Sequence, residues 1–295
     1  MTIGIGVLCS SKPRPHEPRP DALVMIADTM GSTETDSIDE LHKMYWDDAT
    51  RVHFTCAGQV EMAAELVPMF TQNFSQLQTR SHGTITEALN IAVHGHRVQH
   101  FNWDVIAKRH SCLMSPTPGM LPIITSDQEK ILEEWQNYDV GLQMLVGTFD
   151  DTGQALLYFI GKQYISDHEE APGMVHLREF PGHATIGTGS YNATFWLNYR
   201  QQTLGRSIKQ SAYQAYEAKA MAAKSPTVNS DIEIIVATAE KSWYLSKEKP
   251  EAEGCGVSLL ELQQMFKKYG PQNTDEIGHK PNPSVSRKSA GSNDG

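Results

Sequence analysis

The stretch that decides the fold is MTIGIGVLCS, residues 1–10, in which an apolar, β-favouring run begins directly behind the initiator methionine. This run predicts a strand over residues 2–9. Once Met1 is removed, Thr2 carries both a hydroxyl and a free α-amine. An α-amine has a reference pKa of roughly 7.7–8.0, so it can accept the proton of that hydroxyl at neutral pH. The stretch therefore predicts an early strand that presents a nucleophile together with its own base.

The rest of the chain alternates runs of predicted strands with runs of predicted helices. The first four strands, the last two of which cover residues 43–45 and 52–56, are expected to form one meander. Thr84 or its neighbour is expected to be the N-cap of the second helix, with Glu87 completing the cap. This order predicts an α+β fold, a four-layer αββα sandwich of two antiparallel sheets flanked by helices. The second of these four strands is predicted at residues 22–28, and later strands are predicted at residues 140–148, 155–161, 175–180, 185–186, 232–237 and 243–245. Helices are predicted at residues 60–78, 84–98, 126–136, 191–200, 207–224 and 258–269.

One domain is expected over residues 1–270, with insertions at about 10–21 and 104–136, the second lying over the sheet. Residues 271–295 are polar and are expected to be a disordered tail. The net charge of −10 disfavours a nucleic-acid partner. The longest apolar runs are too short to span a membrane, and a secretory signal is not apparent, so we expect a cytoplasmic protein.

Thr2 is followed by residues whose order and spacing resemble the N-terminal third of proteasome β-type subunits. Asp28 ends the run VMIAD, Lys43 follows fifteen residues later in HKMYW, and Gly58 follows after another fifteen in FTCAG. The run IGTGS, which ends at Ser190, is similar to the "GSGS" turn of that family, and the hairpin at residues 140–161 is similar to its central hairpin. The pattern is closest in style to the simple bacterial proteasome relatives, which are N-terminal nucleophile hydrolases.

The resemblance implies a threonine-type endopeptidase that acts in proteasome-like protein degradation. Thr2 would be the nucleophile, Lys43 would stabilise its alkoxide, and Asp28 would orient Lys43. The Gly58 N–H would bind the oxyanion, and Ser190 would position the amine or a water molecule. No cofactor and no metal are implied, whereas a homo-oligomeric ring and a polypeptide substrate are.

The resemblance also implies a pocket for the substrate side chain that precedes the cleaved bond. Its uncharged lining favours a medium-sized apolar side chain, because a charge would be buried there without a partner. Ser32 would lie where backbone atoms pair with an extended peptide. The lining residues would be Gly31, Leu41, Tyr45, Cys56 and Val60.

Two departures from the family keep other functions open. The loop at residues 10–21 is long and proline-rich, and Ser225 and Val228 stand where the family has an aspartate and a serine, which leaves Asp231 as a substitute carboxylate. The second departure favours a non-catalytic structural subunit of a proteasome-like ring. The two insertions instead favour a hydrolase of small amides, because they could close the site to polypeptides.

Three histidines in HGHRVQH, namely His94, His96 and His100, suggest a metal site. His96 and His100 are four residues apart and share a helix face, but the glutamate of the zinc-protease signature does not follow the first histidine, and the sequence specifies no third ligand. The preferred interpretation is an ordinary helix surface.

Overall fold

The computed structural model describes residues 3–12, 19–29, 31–32, 37–38, 43–108, 125–161, 164–165, 168–169, 175–178, 181–224 and 231–271. None of the helices within these ranges is long and apolar enough to cross a membrane. The strands are β1 (Gly4–Cys9), β2 (Ala22–Ala27), β3 (Gly31–Ser32), β4 (Ser37–Ile38), β5 (Met44–Asp47), β6 (Val52–Gly58), β7 (Leu142–Phe149), β8 (Ala155–Ile160), β9 (Tyr164–Ile165), β10 (His168–Glu169), β11 (Val175–Leu177), β12 (His183–Ile186), β13 (Glu233–Thr238) and β14 (Ser242–Leu245). The α-helices are α1 (Val60–Ser75), α2 (His82–Phe101), α3 (Thr125–Asn137), α4 (Ser190–Tyr199), α5 (Ile208–Ala222) and α6 (Leu259–Tyr269), and a π-helical segment, Asn102–Ala107, follows α2.

Two five-stranded sheets form the centre of the protein. The first has the order β12-β1-β2-β13-β14 and the second the order β11-β8-β7-β6-β5, and all neighbouring strands are antiparallel. The predicted α+β class with two antiparallel sheets is therefore confirmed. The predicted N-terminal meander is wrong, because the hairpin β1–β2 belongs to the first sheet and the hairpin β5–β6 to the second.

The buried apolar side chains form three clusters. One lies between the two sheets and joins residues such as Met25 and Leu157. A second packs the first sheet against α4, α5 and α6, and a third packs the second sheet against α1 and α2. Because β1 and β2 have neighbours on both faces, every one of their residues is buried, which explains their nearly continuous apolar sequence.

Gly4, the first residue of β1, lies close both to its neighbour strand β12 and to β6 of the second sheet. A Cβ atom at this position would lie 2.7 Å from Ile186 Cγ1 and 3.0 Å from Thr55 Oγ1. Contacts this short do not occur in folded proteins without displacement of a neighbour. A glycine in an otherwise β-favouring run therefore lets β1 sit against the second sheet.

The start of α2 differs from its prediction. Ser81 is the N-cap, and its hydroxyl accepts the Thr84 N–H at 3.2 Å while Thr84 Oγ1 accepts the Ser81 N–H at 3.0 Å. The reciprocal pair is thus Ser81 with Thr84 instead of Thr84 with Glu87. Threonine takes the place of the usual glutamate because its hydroxyl also reaches the N-cap amide.

The helix predicted within residues 104–136 is present as α3, but it packs on α2 instead of lying over the sheet. Trp135 makes edge-to-face contact with Phe101, with ring centroids 5.1 Å apart. The Arg97 guanidinium donates to the backbone carbonyls of Trp135 and Tyr138. This arginine supplies donors at the C-terminal end of α3, where a helix has few partners of its own for its last carbonyls.

His53 joins the second sheet to the first, and it makes the fold sensitive to acid. Its side chain is fully buried, and Nε2 lies 2.7 Å from the Ser242 hydroxyl of β14. Burial lowers the pKa of His53 to about 4. Between pH 6.5 and pH 4 the unfolded chain therefore binds a proton that the folded chain does not, so stability falls as the pH falls.

We expect His53 to lower the free energy of unfolding by about 1 kcal/mol for each unit of pH between 6.5 and 4, in addition to the loss due to His183, whose pKa burial also lowers to about 4. Urea unfolding of His53→Gln at pH 6.5, 5.5 and 4.5 should show a shallower pH dependence than the parent protein. The exposed His94 offers the matched control, and His94→Gln should keep the parent slope. Equal slopes for the two variants would contradict this role of His53.

Candidate active site

A buried ion pair links the two sheets beside the N-terminal strand. Asp28 directly follows β2 and Lys43 directly precedes β5, and Lys43 Nζ lies 2.9 Å from Asp28 Oδ1. Both side chains are fully buried. A buried ion pair is stable only when its geometry compensates the loss of hydration, so this contact fixes the lysine firmly in place.

Asp28 also holds the first described residue of the chain. Its Oδ1 accepts the Ile3 N–H at 3.1 Å, and its own N–H donates to the Ile3 carbonyl at 3.3 Å. Ile3 is the neighbour of Thr2, which lies outside the described residues. One carboxylate oxygen therefore fixes both the lysine and the backbone directly after Thr2.

Two buried oxygen atoms near this pair have no hydrogen-bond partner within the described part of the chain. They are Asp28 Oδ2 and Thr55 Oγ1. Thr55 faces Gly4 across the sheets and pairs with Met44, the residue after Lys43. An unpaired buried oxygen costs stability, and such atoms in a native structure call for a specific explanation.

The electrostatics around the pair include a second buried lysine. Burial lowers the pKa of Lys43, against the opposing effect of the Asp28 carboxylate. Lys219 on α5 is 1% exposed, and its Nζ donates to the Asp231 carbonyl at 2.6 Å. Its pKa is lowered to about 8, chiefly by burial and further by the charge of Lys43.

The sequence reasoning did not single out Lys219. A usable signal exists, because Lys219 falls on the helical repeat of small apolar residues formed by Ala212, Ala215 and Ala222. A lysine in such a stripe is buried by the packing of its neighbours. The structure places it close enough to Asp28 and Lys43 to interact with both charges.

Gly58 is the last residue of β6 and adopts a backbone φ of +90°. A Cβ atom there would lie 2.1 Å from the Gly141 carbonyl oxygen, so only glycine fits. The residue is exposed at the end of a buried strand. Its predicted role as the oxyanion donor stays a prediction.

Ser190 is the first residue of α4 and follows the turn after β12. Its N–H donates to the Gly187 carbonyl at 3.1 Å, and its carbonyl accepts the Thr185 hydroxyl at 3.1 Å. Gly4 of β1 is paired with Ile186 of β12 and with Ala27 of β2. The turn before Ser190, the backbone before Gly4 and Asp28 therefore lie at the same end of the first sheet.

The residues predicted to line the substrate pocket lie in different parts of the structure. Cys56 and Val60 are buried in the cluster under α1 and α2, and Tyr45 packs against that cluster while half-buried. Burial raises the pKa of the Cys56 thiol to about 12, which keeps it protonated. Gly31 and Ser32 form β3, which pairs with β4, and Leu41 lies outside the described residues.

The late positions that depart from the family, Ser225 and Val228, lie outside the described residues. Asp231 is described, and its backbone carbonyl is the group that contacts Lys219. Its carboxylate is 47% exposed and lies 4.0 Å from Lys247 Nζ. The arrangement gives Asp231 a surface ion pair, so it does not favour this carboxylate as the missing support.

Comparison with known proteins finds similarity in structure and none in sequence. No protein-family model and no curated protein matches the sequence. Among solved structures, the chain is similar in fold to Anbu (ancestral beta-subunit) from Yersinia bercovieri, with a TM-score of 0.60 and 11% sequence identity. The match covers 96% of this chain and 100% of that chain. At this identity the likeness shows a shared fold.

Proposed function

We propose that this chain is an N-terminal nucleophile hydrolase that cleaves amide bonds through an acyl-enzyme on Thr2, with polypeptides as its substrates. The observation that carries the proposal is the double contact of Asp28. The same carboxylate oxygen accepts hydrogen bonds from the backbone N–H of Ile3, which directly follows Thr2, and from the Lys43 ammonium. A nucleophile on residue 2 would thereby be held beside a fixed positive charge.

The proposed reaction uses the hydroxyl and the α-amine of Thr2 together with Lys43, Gly58 and Ser190. The Thr2 α-amine takes the hydroxyl proton as Oγ1 bonds to the substrate carbonyl carbon, and Lys43 stabilises the developing alkoxide. The Gly58 N–H donates to the oxyanion. The protonated amine then gives its proton to the leaving amine, and a water molecule positioned with Ser190 releases the acyl group.

The fold supports this assignment. Helices pack on the outer face of each sheet, and an apolar cluster joins the inner faces, which we take as the four-layer αββα sandwich of N-terminal nucleophile hydrolases. The likeness to a beta-subunit extends over nearly the whole chain. Both findings favour a proteasome-like peptidase acting in cytoplasmic protein degradation.

We further propose a homo-oligomeric ring, with α4 as a contact between copies. Tyr191, Phe195 and Tyr199 are spaced four residues apart on this helix and are 82%, 48% and 56% exposed. The rings of Phe195 and Tyr199 are stacked, with centroids 6.3 Å apart. Aromatic side chains aligned on an exposed helix face are typical of protein–protein interfaces.

The substrate side chain before the cleaved bond is proposed to be apolar. Of the residues predicted to line this pocket, Tyr45 is half-buried, and it packs against the core cluster that contains Cys56 and Val60. Gly31, Ser32 and Leu41 complete the proposed set. An extended peptide would pair with the backbone at Ser32, as strands added to a sheet edge do.

The test is intact-protein mass spectrometry before and after incubation with a peptide epoxyketone. We expect Met1 to be absent, and we expect one inhibitor mass to be added to the N-terminal peptide, because this electrophile reacts with a hydroxyl and an α-amine on the same residue. A chain with an N-terminal extension before Thr2 is the control and should gain no mass. Retention of Met1, or labelling of both chains alike, would refute the proposed nucleophile.

A further inference from the structure

A compact group of potential metal ligands lies on the pair of helices α1 and α2. His96 and His100 are one turn apart on α2, with ring centroids 4.4 Å apart. Glu65 of α1 faces them, with its Oε2 at 2.7 Å from His100 Nε2 and 3.4 Å from His96 Nε2. One ligand atom from each of the three residues lies within 4.8 Å of the other two. None of these residues takes part in the proposed reaction at Thr2.

His96 provides an independent sign that a ligand belongs here. Its side chain is 3% exposed, and its Nε2 is buried without a hydrogen-bond partner. Its contact with Glu65 Oε2, at 3.4 Å, is at the long end of the hydrogen-bond range. A buried imidazole nitrogen without a hydrogen-bond partner is a group that can ligate a metal ion.

We propose that Glu65, His96 and His100 bind a divalent transition metal ion, with Zn²⁺ as the best fit. Two imidazole nitrogens and one carboxylate form a common three-residue zinc ligand set, in which water takes the fourth position. At metal–ligand distances of about 2.0–2.1 Å, the ligand atoms of a tetrahedral site are roughly 3.3 Å apart. The distances from Glu65 Oε2 to the two imidazole nitrogens, 2.7 and 3.4 Å, lie on either side of this value, and the half-exposed Glu65 side chain has room to adjust.

The surroundings allow a metal ion to enter and to keep a water ligand. A surface cavity of about 300 Å³ is lined by Glu65, Gln99, His100, Asn102 and Trp103. The π-helical segment that starts at Asn102 contributes two of these residues. Such segments inside helices frequently accompany functional sites because they change the direction of the side chains.

The sequence favoured an ordinary helix surface because the third ligand is not near HGHRVQH in the chain. Glu65 lies 35 residues before His100 and reaches it only through the packing of α1 on α2. A metal ion bound by all three residues would cross-link the two helices that cover the second sheet. The ion would thus add stability to the folded state, in which alone the three ligands meet.

Isothermal titration of the untagged full-length protein with Zn²⁺ tests the site. We expect one ion per chain and, because loss of even an outer-shell partner weakens metal sites by 10–100-fold, at least about tenfold weaker binding for Glu65→Gln and for His100→Gln. His94→Gln is the matched control, since His94 is on the same helix but its ring packs against Trp135. This variant should bind Zn²⁺ like the parent protein.

Two further measurements separate a built site from adventitious binding. Co²⁺ should give the intense visible absorption of a four-coordinate ion in the parent protein and in His94→Gln, but not in Glu65→Gln or His100→Gln. Mg²⁺ should not compete, since imidazole ligands disfavour it. Absence of Zn²⁺ binding by the parent protein, or equal affinity in all four proteins with circular dichroism showing each to be folded, would overturn the proposal.

Discussion

Thr2→Ala is expected to abolish amide hydrolysis and labelling by the epoxyketone, with a loss in kcat/KM of roughly 10⁴-fold or more, as for other catalytic nucleophiles. The physical reason is that no other group would carry both the attacking oxygen and the adjacent amine. The hydrogen bond that Asp28 accepts at this end of the chain comes from the backbone N–H of Ile3 and does not involve the Thr2 side chain, so the fold should be retained. Peptide hydrolysis and thermal unfolding of the same preparation measure both effects.

Thr2→Ser is the matched control for this experiment. It keeps a hydroxyl and an α-amine on one residue, so it should retain measurable hydrolysis and should still form the adduct. Hydrolysis by Thr2→Ala at the parent rate would exclude Thr2 as the nucleophile. No hydrolysis by any of the three proteins, with Met1 shown to be removed, would favour the non-catalytic subunit.

Lys43→Met is expected to lower both stability and activity. The change leaves the fully buried Asp28 carboxylate without the ammonium at 2.9 Å, and breaking a buried pair in this way costs about 3–5 kcal/mol. Removal of a fixed charge that stabilises a developing alkoxide should lower kcat by roughly 10²–10³-fold. Urea unfolding and steady-state kinetics measure the two losses separately.

The double variant Asp28→Asn/Lys43→Met distinguishes the two roles of the pair. Both charges are then absent, so part of the lost stability should return, with a coupling energy of about 1–3 kcal/mol in a double-mutant cycle. Activity should not return, because the positive charge is still missing. Recovery of activity together with stability would show that Lys43 acts on the fold alone.

Much of the fold could be predicted from the sequence because the strands are short apolar runs between polar turns. The hairpin β7–β8 and the helices α4 and α5 lie within one or two residues of their predicted bounds. The assignment of hairpins to sheets could not be predicted, because the sequences of β1 and β6 do not show which sheet each strand joins, and only tertiary packing separates them. Likewise, the periodicity of α2 does not show that its start is fixed by Ser81.

Part of the candidate site was expected from the sequence through its resemblance to proteasome β-type subunits. That resemblance placed Asp28 beside Lys43, and the structure brings the two side chains to 2.9 Å, whereas their role in a reaction stays a prediction. Lys219 and Glu65 were missed for a different reason. Each acts through a contact between separate helices or between a helix and a loop, and local sequence patterns do not encode such contacts.

The position of β1 between β12 and β2 has a consequence for biosynthesis. This strand is paired on one side with β2, which follows it at once, but on the other side with β12, whose residues 183–186 are translated much later. The first sheet cannot enclose the N-terminus until that part of the chain has left the ribosome. If Met1 is removed, as the proposed function requires, the N-terminus is thus still an open chain end for most of the time of synthesis.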